Sequence, residues 1–106
     1  MEEQPNLDYF NQIASGDEGI VNTLITILKD EFPEQLENYN KCISVSNYEL
    51  AAEALHKLKH KIGLLGLEKG YIVANEYENN LRDNNLQNKN EFEAILKNIT
   101  NFIKKL

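Results

Sequence analysis

Leu55-His56-Lys57-Leu58-Lys59-His60-Lys61-Ile62-Gly63-Leu64-Leu65-Gly66 is the stretch on which the reading of this chain turns. At about 100° per residue, Ala51, Leu55, Leu58, Ile62 and Leu65 fall on one face of a helix, which must be the core side. His56, Lys59, His60 and Gly63 stand at i, i+3, i+4 and i+7 and share the opposite face, where they are surface neighbours. Lys57 and Lys61 flank them. Five potential cations therefore crowd the six residues His56 to Lys61, in a chain whose formal net charge is −6. Such a local positive patch attracts an anion, phosphate above all. Neighbouring lysines disfavour an imidazolium, so the ring of His56 is expected to be neutral and nucleophilic. A lysine one turn away offsets charge on a transferring phosphoryl group, and a glycine two turns away leaves room for a partner backbone.

The same apolar spacing extends in both directions from this helix. Leu7, Phe10 and Ile13–Ala14 predict a short first helix ending near Gly16. Ser15-Gly16-Asp17-Glu18 reads as a capping box that opens a long second helix, with Ile20, Leu24, Ile27, Leu28, Phe32, Leu36, Tyr39 and Ile43 along it. Pro33 falls inside it. Because the apolar spacing carries on past the proline, one kinked helix is expected rather than two. Ser46-Asn47-Tyr48-Glu49 is a second capping box, and Gly66 is the expected stop of the third helix. A fourth helix covers about Leu67–Arg82, and a fifth opens near Asn88 with a stripe of Phe92, Ile95, Leu96, Ile99, Phe102 and Ile103. Phe10, Phe32, Tyr71, Tyr77, Phe92 and Phe102 all fall on apolar stripes and are read as core. The acidic run Glu31, Glu34 and Glu37 is read as a solvated helix face. Short connections imply antiparallel neighbours. The expected fold is all-α: an antiparallel up-down four-helix bundle with a short additional N-terminal helix. Residues 1–6 are read as a frayed N-terminal lead and residues 7–106 as one domain.

Composition agrees with one helical domain. The 106 residues suffice for one core, hydrophobic residues make up 42%, and only 5 Gly and 2 Pro occur, too few for a turn-rich β fold. An acidic chain lacks the basic footprint of a nucleic-acid binder and disfavours anionic membranes. Cys42 is the only cysteine, so no intramolecular disulfide and no cysteine-based zinc site is expected. The polar, acidic start is unlike a signal peptide, and no apolar run has transmembrane length. A cytoplasmic monomer follows by default. Gly-rich nucleotide loops and kinase motifs are missing, so no ATP-binding or kinase activity of its own is expected.

Residues 55–66 resemble the signature of histidine-containing phosphotransfer (Hpt) domains: His56, Leu58, Lys59, Gly63 and Gly66 fall into that pattern. Asp17 to Leu36, with Phe-Pro-Glu-Gln-Leu at 32–36, is similar to the long second helix of the family. The resemblance covers about residues 7–105. It implies a phosphorelay intermediate. His56 would accept a phosphoryl group from a receiver-domain aspartate and pass it to another response regulator, with Lys59 beside the phosphate. The implied partners are receiver domains and a hybrid histidine kinase. No cofactor would be bound by this chain, and Mg²⁺ would sit in the partner's acidic pocket. On the next helix the family often places a Gln that supports the histidine. Here Glu78 stands there, with Arg82 one turn on. A Glu would hold the imidazole but repel the phosphoryl group. His60 replaces the usual Gly after the lysine. It either hinders a docking receiver or contributes to the site, and Gly63 leaves space beside it. Ile13, Ile20 and Leu24 are the candidate partner-binding residues.

Three plainer readings compete. His56 taken alone would be an ordinary surface histidine. His56 and His60 at i, i+4 could clamp a metal, but the flanking lysines oppose it, and no metal site is expected. The third keeps the fold and drops the chemistry: a non-catalytic Hpt-like module that binds and sequesters a receiver domain or kinase.

Overall fold

The computed structural model describes residues 3–106, and over these residues it is all-helical. Five helices follow one another: α1 (Asp8–Ala14), α2 (Glu18–Ser44), α3 (Tyr48–Leu64), α4 (Glu68–Arg82) and α5 (Lys89–Lys104). α2 runs through Pro33 as one helix. α3 lies between α2 and α4, α5 packs on α4 and α2, and α1 lies on α2. No helix among the described residues is long and apolar enough to cross a membrane.

The core forms where the apolar stripes meet. Leu28, Phe32 and Tyr39 from α2, Ala51, Leu55, Leu58 and Ile62 from α3, Ala74, Tyr77 and Leu81 from α4, and Phe92 and Ile99 from α5 are all buried there. The face of α3 assigned to the core is the buried one. Tyr39, Tyr77 and Phe92 pack edge-on or tilted with centroids 5.2–6.3 Å apart, a geometry that places ring edges against π faces. The two tyrosine hydroxyls, which would be orphaned in an apolar core, bond to each other at 2.8 Å, and Tyr39 also donates to Glu93 at 3.0 Å. Burial pushes both phenols above their ordinary value.

Both capping boxes are displaced. Asp17, not Ser15, caps α2 by accepting from Gly19 N and Ile20 N at 2.8 and 3.2 Å, and Asn47, not Ser46, caps α3. Ser15 and Ser46 instead take left-handed φ values of 51° and 56°, ending the helices before them. Tyr71 is not core: it is 39% exposed. Phe102 is only half-buried.

The lead is not frayed over residues 3–6 (Met1 and Glu2 lie outside the described residues). Pro5 is buried. Asn6 N donates to Leu65 O at 2.9 Å. Glu3 accepts from Lys69 N and Gly70 N at 2.9 and 3.0 Å. The physical reason lies at the start of α4. Its N-cap position is Leu67, which has no side-chain acceptor, so its orphan N–H groups take a carboxylate from elsewhere in the chain.

Candidate functional site

The site is built on the α3–α4 hairpin. Leu65, Gly66 and Leu67 join the two helices, and Gly66 takes φ +79°, a turn that suits a residue without Cβ. The helices then run side by side in opposite directions. Gly63 meets Tyr71, Lys59 reaches Asn75, and His56 reaches Glu78.

Glu78 is at the centre. It is 7% exposed, and its carboxylate serves three donors. His56 Nδ1 stands 3.1 and 3.2 Å from the two oxygens, Lys59 Nζ is 3.0 Å from Oε1, and Arg82 donates to Oε2 at 3.3 Å. Burial by itself would raise this carboxyl, but the hydrogen bonds from Lys59, His56 and Arg82 outweigh it and hold it below its ordinary value. A carboxylate only accepts, so the proton on the imidazole sits at Nδ1. In the neutral ring Nε2 then carries the lone pair. It has no hydrogen-bond partner among the described residues, and the His56 side chain is 49% exposed.

Lys59 departs from its expected place on the solvent face. It is 6% exposed, bonds to Asn75 Oδ1 at 3.1 Å as well as to Glu78, and lies 5.5 Å from the centre of the Tyr71 ring. Its face borders the groove that α4 closes, so the aliphatic stem is covered while the ammonium finds acceptors. Two of the three lysines in the patch are paired with carboxylates, Lys59 with Glu78 and Lys61 with Glu31. Lys61 pairs with Glu31 at 2.6 Å, which takes Glu31 out of the purely solvated face, and Lys57 turns toward α2, where it lines a groove with Glu31, Glu34 and Asn38. His60 is exposed and meets the His56 ring edge-on, centroids 4.9 Å apart.

His56, Lys59, Glu78 and Arg82 are thus brought together, with His60 and Gly63 beside them. Ile13 and Ile20 are exposed at 56% and 44%. Leu24 is half-buried against the core, and Ile27, one turn on, is exposed like Ile20. Two further residues contribute: Asn75, which the sequence reading does not single out, and Tyr71, which it takes as core. Their signal was spacing: Tyr71, Asn75, Glu78 and Arg82 follow at i, i+4, i+7 and i+11, a second stripe along α4.

No family model matches the sequence, and no curated protein or solved structure is significantly similar to it.

Proposed function

We propose that the chain is a phosphorelay intermediate of the Hpt kind, folded as an antiparallel up-down four-helix bundle with α1 as an added N-terminal helix, and acting in the cytoplasm. The observation that carries the reading is the His56–Glu78 contact. It fixes the proton on Nδ1 and leaves an exposed ring nitrogen with a free lone pair, which is what a nucleophile toward phosphorus needs. The carboxylate also stabilises the cationic ring that forms.

The step is an in-line displacement. Nε2 of His56 attacks the phosphorus of a receiver's aspartyl phosphate, the N–P bond forms, the O–P bond breaks, and the aspartate leaves as its carboxylate. No proton moves, because Nδ1–H stays on Glu78. The reverse step passes the group to a second receiver. Mg²⁺ belongs to the receiver's acidic pocket in this reading. Glu78 does not defeat the reaction by repulsion: Lys59 and Arg82 put two positive charges on its single negative one, so a phosphoryl group meets a cluster that is net positive.

One observation favours the non-catalytic alternative. Lys59 is already held by Glu78 and Asn75, so the group expected beside the phosphate is spoken for. The deciding experiment is transfer of radiolabelled phosphoryl from a phosphorylated receiver domain to the wild-type chain and to His56→Gln. Label that is acid-labile and alkali-stable on the wild type, and none on the variant, is the expected result. A chain that binds the receiver and takes no label is a sequestering module.

A further inference from the structure

His56 and His60 stand one helical turn apart, both exposed, with their rings perpendicular at 89° and in edge contact. Two imidazoles at i, i+4 on a rigid helix suit a divalent metal. A ligating histidine almost always gives its other ring N–H to a carboxylate, which orients the ring and raises its basicity. His56 already has that partner in Glu78. The lysines that oppose a cation in the sequence oppose it less in the fold. Lys61 is paired with Glu31, Lys57 lies toward α2, and Lys59 shares Glu78 with Arg82, whose exposed guanidinium leaves one positive charge beyond the carboxylate's own.

We propose that His56 and His60 together chelate a late first-row divalent cation, and that this metal competes with the phosphoryl group for Nε2 of His56. The second half rests on the phosphorelay reading; the first does not. The described residues contain no group of three or more His, Cys, Asp or Glu placed to hold a metal, so the site has two protein ligands and leaves the other positions to water. Neutral imidazole prefers Zn²⁺, Ni²⁺ and Cu²⁺, whereas Mg²⁺ takes oxygen ligands and keeps its water. The receiver's Mg²⁺ therefore does not occupy this pair.

The test is a ZnCl₂ titration of the full chain, followed through the imidazole NMR resonances. Saturable shifts at both His56 and His60 are expected, with none from MgCl₂. His60→Gln, an exposed change that leaves the core intact, should weaken Zn²⁺ binding at least tenfold. Unchanged affinity in that variant, or a His56 ring that does not respond, overturns the chelate. Competition is then read with phosphoramidate, a small phosphoryl donor, by ³¹P NMR. Saturating Zn²⁺ should slow labelling of His56 at least tenfold in the wild type and far less in His60→Gln. Equal rates with and without Zn²⁺ overturn the competition. Failure of the phosphorelay reading shows separately, as no label from any receiver in the absence of Zn²⁺.

Discussion

Replacing Glu78 with Gln removes one negative charge from a carboxylate that serves His56, Lys59 and Arg82, while keeping its volume. The cost falls mainly on Lys59, whose side chain is 8% exposed. Breaking a buried ion pair by removing one partner costs roughly 3–5 kcal/mol. Here Lys59 keeps Asn75 as an acceptor, the Gln carbonyl still accepts, and Arg82 is 44% exposed and returns to water. The expected loss is therefore lower, about 2 kcal/mol at neutral pH, the range of a charged hydrogen bond. Its pH dependence has a definite sign. The folded carboxyl lies below its ordinary value, so the unfolded chain takes up the proton first as pH falls. The stabilisation by Glu78 is whole above the ordinary glutamate value of about 4.3 and disappears as pH drops through the lower folded value. Urea unfolding of both proteins at neutral pH and at several acid values measures this. The variant's midpoint should fall by about 1 M at neutral pH with unchanged slope, and the gap should close on acidification. A variant as stable as wild type at neutral pH, or a gap that stays constant below pH 4, refutes the argument that this carboxylate is held charged by its three donors.

Two glycines of the same hairpin should respond in opposite directions to alanine. At Gly66 a Cβ would lie 2.6 Å from Asn6 Nδ2 at φ +79°, so Gly66→Ala should destabilise by at least about 1 kcal/mol, read as a lower thermal midpoint. At Gly63 the added methyl meets only Tyr71 at 3.3 Å, an exposed ring that can shift, so the helix-propensity gain of up to about 1 kcal/mol should dominate and raise the midpoint. Tyr39→Phe strands the buried Tyr77 hydroxyl, whose only partner among the described residues is Tyr39, and should cost about 1–3 kcal/mol. Tyr77→Phe should cost less, because Tyr39 keeps Glu93; equal losses in urea unfolding would contradict the hydrogen-bond assignment.

The elements were legible because their apolar stripes are strong. α5 repeats Phe92, Leu96, Ile99 and Ile103 in register with its buried side, and α2 keeps its period past Pro33. The caps were less so. Ser15 and Asp17 both suit a helix start, and only the chain path shows that Ser15 is needed to end α1 with a left-handed turn while Asp17 faces the free N–H groups of α2. Glu3 was illegible for a related reason: it caps a helix that begins more than sixty residues later, and no local pattern links the two.

The candidate site shows where reading residues one at a time fails. A helical wheel gives the angle at which Lys59 leaves α3 but not what α4 brings to meet it. Asn75 and Glu78, three residues apart on the facing helix, turn a solvent-facing cation into a buried, neutralised one. The same pairing reverses the argument about Glu78. Counted alone beside His56, its charge opposes a phosphoryl group. Held between Lys59 and Arg82, it orients the imidazole while the cluster around it stays positive. A Gln in its place would still accept a hydrogen bond, and Lys59 would keep Asn75, but no negative charge would be set against Lys59 and Arg82. Glu78, Lys59 and Arg82 therefore form one interdependent set, in which the carboxylate that holds His56 is itself held by the two cations.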